Sequence, residues 1–370
     1  MKSMPLRMLL LMLALVVVLV GCSQFGYYLQ SARGQLDILA KRERIDELVA
    51  APDTDPELRD RLRSVAAMRE FASRELGLPD NDSYRSYVDL GRPYVVWNVF
   101  AAPEFSVQPR TWCFPLVGCI SYRGYFREQR AQNYAARLRE QGDDVYVAGI
   151  VAYSTLGHFS DPVLNSMLRG DDLYLAGVLF HELAHQVIYI RDATEFNEAF
   201  ASLVEEVGVQ RWLAAQGDTD SWLRWQQRQQ RRAEFTALVT ATRERLQTLY
   251  TDTLDVERRR QRKYQIISAL RDAHEQLRAE IGEDTGYETW FAGPLNNAQL
   301  SSVATYRRLV PAFRALLAET GNDLDAFYAE VTRIGELPEE QRIATMEQWL
   351  QTAQSGLAVA TAVSIEPATP

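Results

Sequence analysis

The alternation of apolar and polar positions predicts a mostly helical chain whose few strands lie in its middle third. Apolar residues recur at helical spacing over residues 29–48 and again over residues 58–76. The pair Asp55-Pro56 marks the start of the second helix, because Asp caps helix N-termini and proline suits the first helical position. Residues 94–101 and 145–153 are rich in β-branched and aromatic side chains, as strands are. The pattern predicts a fold of the α+β class, predominantly helical.

The later part of the chain is predicted to be helical almost throughout. Residues 173–190 are apolar on every side, as in a helix surrounded by protein. Two apolar stripes run through residues 209–283 and are interrupted at residues 251–254, which predicts a long antiparallel helical hairpin. The end of the chain, residues 351–370, is predicted to be a disordered tail, because it is rich in small residues and ends in proline.

These patterns divide the chain of 370 residues into five segments. A targeting segment is followed by an N-terminal helical part, a central core that contains the sheet, a C-terminal helical part and the tail. The predicted limits are residues 1–22, 23–83, 84–216, 217–350 and 351–370.

The central core contains an H-E-x-x-H motif within its buried helix. His181 and His185 lie four residues apart, so the helix places both imidazoles on one face. Burying two imidazoles and the carboxylate of Glu182 without partners would cost several kcal/mol, and a metal ion removes that cost. Glu198, on the next predicted helix, supplies the carboxylate that zinc sites with two histidines commonly use. The sequence therefore predicts one zinc ion per chain, bound by His181, His185 and Glu198.

Two neighbours of these ligands have predicted roles in the chemistry. Glu182 is rotated by about 100° from the histidines and can act as general base on a metal-bound water. Ser202, one helical turn after Glu198, could hydrogen-bond a metal ligand and orient it. On an exposed helix the same motif would be only a solvated polar face, but the flanking residues here are apolar.

H-E-x-x-H followed by N-E-x-x-A resembles the gluzincins, zinc peptidases whose third ligand is a glutamate. The resemblance implies a zincin-like catalytic core, with a small β-sheet packed on the active-site helix and Glu182 as the catalytic base. Only twelve residues separate His185 from Glu198, fewer than in the best-known gluzincins. The connection must therefore be a tight helix–helix turn, and residues 191–194 are where we expect it.

Most of the chain beyond residue 22 resembles a family of zinc aminopeptidases among the lipoproteins of Gram-negative bacteria. The matching stretches are residues 112–119, 122–126 and 155–162. This resemblance implies a peptide or protein substrate that is hydrolysed with the help of Glu182.

The sequence lacks the residue that is expected to bind the substrate amine in an aminopeptidase. In neutral aminopeptidases a strand glutamate before H-E-x-x-H holds that amine, and Ala152 stands at its place here. Glu104, Asp161 or Glu195 would have to serve instead. The first alternative is therefore a zinc endopeptidase of the cell envelope. The second is a non-catalytic envelope lipoprotein with a structural metal site, which three protein ligands and an open fourth position argue against.

Other contacts to the substrate are predicted from position in the chain. The substrate would lie along the strand that ends at Ala152 and Tyr153, pairing by backbone hydrogen bonds. Tyr306 is a candidate donor to the oxyanion, with a plain core tyrosine as the alternative. His158 is a candidate for oxyanion stabilisation or substrate binding, with a hydrogen-bonded surface histidine as the alternative.

The first 22 residues have the features of a lipoprotein signal peptide. Two basic residues precede an apolar run of twelve residues, which is too short for an ordinary membrane span. The run ends in a sequence resembling a bacterial lipobox, which implies lipid attachment at Cys22 and a membrane anchor at the new N-terminus. Ser23 after the cysteine resembles the sorting pattern for the outer membrane. We therefore expect a lipoprotein of the bacterial cell envelope, facing the periplasm.

The two remaining cysteines, Cys113 and Cys119, bracket a short loop. Disulfides form in oxidising compartments, so we expect these two residues to be bonded, with a pair of buried free thiols as the alternative. The net charge of −9, with basic residues scattered among acidic ones, argues against a nucleic-acid partner.

Overall fold

The computed structural model describes residues 26–114, 118–152, 154–282 and 286–363, including their side chains except at residues 304–306 and 356–363. Cys22, Tyr153 and the side chain of Tyr306 lie outside this description. The predictions of a lipid anchor, of a substrate contact at Tyr153 and of an oxyanion donor at Tyr306 therefore stay predictions.

The described chain is mostly helical and carries small sheets, so the predicted α+β class is confirmed. The helices are α1 (residues 26–40), α2 (Ile45–Ala50), α3 (Pro56–Leu76), α4 (Glu128–Glu140), α5 (Asp172–Val187), α6 (Thr194–Gln216), α7 (Thr219–Thr251), α8 (Val256–Ile281), α9 (Glu288–Phe291), α10 (Asn297–Arg307), α11 (Val310–Glu319), α12 (Leu324–Gly335) and α13 (Glu339–Val363). The strands are β1 (Glu43–Arg44), β2 (Ser86–Val88), β3 (Val96–Pro103), β4 (Trp112–Phe114), β5 (Gly118–Ile120), β6 (Arg123–Tyr125), β7 (Asp143–Ile150) and β8 (Val163–Leu164).

The sheet that matters most for the site has the order β6-β3-β7, with antiparallel pairing throughout. Alternate residues of β3 point to opposite faces, as the pleat of a strand requires. Val99 and Ala101 pack against α4, whereas Phe100 and Ala102 pack with Ala298 of α10. Asn98 belongs to the second face and lines a cavity beyond the end of α10. One face of this sheet is thus shared between a helix and the cavity.

The expected packing of this sheet on the active-site helix is found at the ends of two strands, because Val96 of β3 and Ile150 of β7 join the hydrophobic core that contains α5. The sheet and α5 also both contribute to the lining of the cavity. Helix α5 packs mainly on α3 and α6, where its Phe180 contacts Phe71 with ring centroids 6.1 Å apart. Phe200 of α6 then joins Phe313 and Phe327 in the main hydrophobic core. A helix that is apolar on every side can do both, because one side is buried in the core and the other side forms a wall of the cavity.

The N-terminal and C-terminal predictions hold in part. Asp55 caps α3 as predicted, accepting a hydrogen bond of 3.0 Å from the amide of Leu58. The stripe over residues 29–48 is divided between α1 and α2, because residues 43–44 pair with β2 as strand β1. The predicted hairpin consists of α7 and α8, and residues 252–255 connect the two helices.

The predicted disordered tail begins too early. Helix α13 continues to Val363, well past residue 350, and alanine-rich sequence there has high helix propensity. Residues 364–370 lie outside the described residues. Among the described helices, none combines the length and the apolar character that crossing a membrane requires.

Candidate metal centre

Helix α5 brings its two histidines together on one face. Asp171 caps the helix by accepting a hydrogen bond of 3.0 Å from the amide of Tyr174. One turn separates His181 from His185, and their ring centroids are 4.9 Å apart. Their side chains are only 15% and 8% exposed, so their ring nitrogens need partners from within the protein.

A tight turn between α5 and α6 brings the third predicted ligand to these histidines. Helix α5 ends at Val187 and α6 begins at Thr194, where the sequence predicted the turn. Asn197 holds this turn closed: its side chain accepts from the amide of Ile190 at 2.8 Å and donates to the carbonyl of Ile190 at 2.7 Å. Because Asn197 is 1% exposed, water cannot replace these bonds. Glu198, the next residue, is thereby fixed opposite α5.

The carboxylate of Glu198 lies between the two imidazoles. Its Oε2 is 3.4 Å from Nε2 of His181 and 3.6 Å from Nε2 of His185. The three ligand atoms lie within 4.8 Å of one another. Atoms bound to one tetrahedral zinc ion at its usual bond lengths are separated by roughly 3.4 Å. The observed separations therefore fit a metal ion bound by His181, His185 and Glu198.

A second glutamate of α6 orients His181 from behind. Oε2 of Glu205 lies 3.3 Å from Nδ1 of His181, the ring nitrogen that faces away from Glu198. Arg232 of α7 donates to the other oxygen of Glu205 at 2.9 Å. Gly177 leaves room for this carboxylate, since a Cβ there would lie 3.3 Å from Cγ of Glu205. Glu205 thus orients His181, and the orienting role predicted for Ser202, which is buried on the same helix, stays a prediction.

The charges of this cluster reinforce one another. Burial lowers the pKa of His181, but hydrogen bonds and charges from Glu198 and Glu205 outweigh it and raise the pKa to about 10. Burial likewise opposes ionisation of Glu198, yet His185 and His181 lower its pKa to about 2. For Glu205, Arg232 and His181 outweigh burial and lower the pKa. Both glutamates are therefore carboxylates at neutral pH, which is the form that binds or supports a metal ion. The same negative charges that favour a proton on His181 would favour a metal cation, which would take the place of that proton.

Glu182 lies beside this group, off the face that carries the histidines. Its side chain lines the same cavity, and the residue is only 9% exposed. Burial raises the pKa of Glu182, although His181 and His185 partly offset the effect. A carboxylate with a raised pKa next to a metal site is a suitable proton acceptor.

The candidate ligands open onto a cavity of about 1190 Å³. Helices α5 and α6 form one wall and the sheet forms another, while α1 and residues 154–159 form the mouth. Ala152 is buried and lines the cavity, but β7 ends at Ile150, so the predicted substrate strand is shorter than expected. The exposed His158 also lines the cavity, and the substrate contacts predicted for both residues stay predictions. A substrate in this cavity would have direct access to the metal ligands and to Glu182.

Residues 26–346 match the model of a protein family described as "Putative aminopeptidase". The chain belongs to this family. The match runs from the start of α1 into α13, so it contains every described residue of the candidate metal centre. Neither the curated proteins nor the solved structures contain a match to the chain.

An aminopeptidase of this family would need a group that holds the substrate amine, and the predicted acids do not reach the cavity. Glu104 pairs with Arg260 at 2.5 Å, and Glu195 pairs with Arg308 at 2.6 Å. Neither carboxylate is part of the described cavity lining. Asp161 is buried and accepts a hydrogen bond of 2.7 Å from the amide of Thr155, so it holds the loop at the mouth.

Two tyrosines of the cavity were missed by the sequence analysis. Burial and the charge of Glu198 raise the pKa of Tyr189 to about 12, and the same two causes also raise the pKa of Tyr122 well above its usual value. Both side chains line the cavity. Tyr189 follows His185 by only four residues, and this closeness in sequence could have identified it, although it lies beyond the end of α5. No spacing relates Tyr122 to the motif.

Proposed function

We propose that the protein is a zinc-dependent peptidase, and specifically an aminopeptidase. The observation that carries this proposal is the position of Glu198, with one carboxylate oxygen 3.4 Å and 3.6 Å from the two imidazole nitrogens. Two histidines and a carboxylate are a typical protein ligand set of catalytic zinc. The family to which the chain belongs supports the choice of peptide hydrolysis.

The fit extends beyond the ligands. His181 is held by Glu205 in the way that metal-bound histidines are commonly oriented by a carboxylate. A purely structural site would be closed, whereas these ligands line a large cavity. When bound, zinc supplies Lewis-acid chemistry to the hydrolysis of the peptide bond.

The residues of the chain then have separate tasks. Glu182 accepts a proton from the attacking water and delivers it to the leaving amine. The hydroxyl groups of Tyr122 and Tyr189 remain protonated, since their pKa values are raised, and can donate hydrogen bonds to the developing oxyanion. Glu198 and Glu205 keep the histidines oriented.

An endopeptidase is the second candidate, and the pairing of the cavity carboxylates favours it. Glu205 is engaged by His181 and Arg232. Glu206 is engaged by Arg307 and Arg314. Among the described cavity-lining residues, no carboxylate beyond Glu182 and Glu198 lacks such a partner. Hydrolysis of one peptide with a free and with an acetylated N-terminus separates the two activities, because only an aminopeptidase requires the free amine.

The proposal is tested by Glu182→Gln in the zinc-loaded protein. Glutamine keeps the size of the side chain but cannot accept the proton, so turnover should fall by roughly 10²–10⁴-fold. Zinc content should stay at the wild-type value, because Glu182 is not a ligand. Glu280→Gln, an exposed change on α8, is the matched control. Near-normal turnover of Glu182→Gln would contradict the proposed role of Glu182 as the general base.

We further propose that the protein is tethered to the outer membrane of a bacterial envelope by lipid on Cys22. The support is the basic and apolar sequence that precedes this cysteine. Incorporation of labelled fatty acid into the wild-type chain, and its loss in Cys22→Ser, would test the tether. Equal labelling of both chains would contradict it.

A further inference from the structure

Exposed apolar side chains gather at the mouth of the cavity. Among the described residues, those that are both large and exposed and line the cavity are Tyr28, Leu36, Phe159 and Tyr174. Leu36 is 65% exposed and Phe159 is 49% exposed. Other exposed apolar residues, such as Tyr264 on α8 and Ile343 on α13, are not part of the described cavity lining. Clustered apolar exposure at a cavity mouth indicates a binding surface.

Helix α1 is fixed so that its apolar outer face lines the mouth. On its inner face, Tyr27 stacks on Phe114 with ring centroids 5.5 Å apart, and Ile38 is buried in the main core. Gly34 lies so close to Phe126 that a Cβ there would collide with the ring. The contacts of this face hold the helix in place, and Leu36 on the opposite face remains uncovered.

Beyond the metal ligands and Glu182, each described charged side chain of the cavity is paired with a side chain of opposite charge. Arg228 pairs with Asp171, and Arg232 pairs with Glu205. Glu206 pairs with two arginines outside the cavity. A charged substrate side chain would lose its hydration in this cavity, which is unfavourable unless it gains a partner of opposite charge. Apart from the metal ligands and Glu182, each described carboxylate or guanidinium there is already engaged. Neutral apolar side chains would suffer no such cost.

We propose that α1 and residues 154–159 form an entrance that binds several apolar side chains of the substrate. The continuity of this apolar mouth with the candidate metal centre, within one cavity, identifies the substrate as its occupant. The volume of about 1190 Å³ exceeds that of a typical small-molecule pocket, roughly 300–1,000 Å³, and has room for a peptide. This inference rests on the proposed peptidase function and specifies its substrate: peptides rich in neutral, apolar residues.

Peptide binding to the zinc-loaded Glu182→Gln chain, from residue 23 onward, tests the proposal without hydrolysis. The probes are two fluorescent ten-residue peptides, one with Leu and Phe at alternate positions and one with Asp at those positions. The apolar peptide should bind at least about tenfold more tightly. Leu36→Ser and Phe159→Ser should each weaken its binding about three- to tenfold, because each removes a partly buried apolar contact. Ile343→Ser, at a similarly exposed position on α13, should leave it unchanged.

Equal affinity for the two peptides would overturn the proposal, as would loss of binding in Ile343→Ser as large as in Leu36→Ser. Leu36→Ser could instead leave peptide binding normal and abolish binding to phosphatidylglycerol vesicles. That result would show that the mouth binds the membrane, and it would also overturn the proposal. Selective binding of the apolar peptide, with no turnover in the wild-type enzyme, would reject the peptidase function and leave the entrance intact.

Discussion

Glu205 contacts His181 through Oε2 and Nδ1, which are 3.3 Å apart, while Arg232 of α7 holds the other carboxylate oxygen at 2.9 Å. The position of a candidate metal ligand thus depends on a third helix that contributes no ligand of its own. Because Glu205 follows Glu198 by seven residues, both carboxylates lie on the same face of α6 and grip the imidazole from two sides.

Replacing Glu205 by Gln should weaken zinc binding about 10–100-fold, because the charge that fixes the ring of His181 is lost. Arg232 would also lose its buried counter-ion. The measurement is zinc affinity by competition with a chromogenic chelator, with Glu280→Gln as the control. Unchanged affinity in Glu205→Gln would show that this carboxylate does not support the site.

The disulfide between Cys113 and Cys119 should stabilise the turn that joins the two ligand-bearing helices. These cysteines face each other across β4 and β5 and are bonded in the structure. The amide of Cys119 donates to Asp192 at 2.5 Å, and Asp192 lies in the turn between α5 and α6. The Cys113→Ala/Cys119→Ala chain should lose about 2–3 kcal/mol of unfolding free energy, as expected for so short a loop.

Denaturant unfolding of the wild-type and double-alanine chains measures this difference in unfolding free energy. The zinc affinity of the same two chains shows whether loss of the disulfide also disturbs the metal ligands through the turn. The bond itself is checked by mass after alkylation under non-reducing denaturation. Alkylation of both cysteines in protein taken from the periplasm would contradict the bonded pair.

Asp161 gives the folded protein a specific dependence on pH. Burial raises its pKa from 3.8 to about 6, although hydrogen bonds from Thr155 and Ser154 partly offset this. Ionised Asp161 therefore disfavours the folded state above about pH 6, and that cost disappears as the pH falls toward 4. The shift corresponds to at most about 3 kcal/mol.

The measurable quantity is the unfolding free energy of the wild type minus that of Asp161→Asn. Between pH 7 and pH 4 this difference should rise by up to about 3 kcal/mol in favour of the wild type. A constant difference across this range would show that Asp161 titrates normally in the folded chain.

The sequence predicted the first helix that carries candidate ligands because residues 173–190 are apolar on every side, as in a helix surrounded by protein. The turn between His185 and Glu198 followed from a simple residue count, and the structure places it at residues 188–193, which overlap the expected residues 191–194. Asn197 closes that turn, a role that the motif letters alone do not disclose.

What the sequence could not provide are contacts between segments distant in the chain. The apolar period over residues 29–48 predicted helix but not what the helix contacts, and only the folded chain places Leu36 at the cavity mouth. Tyr264 belongs to the second of the two apolar stripes in residues 209–283, which predicts burial, yet it is 75% exposed. Lys263 takes the buried position instead, because it reaches Asp144 at 2.6 Å. Such ion pairs override a periodic pattern locally.

Zinc content, measured together with hydrolysis, tests the central claim most directly. The wild-type chain, purified without chelator, should hold about one zinc ion and should lose its peptidase activity when a chelator removes the metal. His185→Ala removes one of three protein ligands and should neither retain zinc after dialysis nor hydrolyse the peptide. A His185→Ala chain that keeps a full, tightly bound equivalent of zinc would contradict the metal centre described for His181, His185 and Glu198.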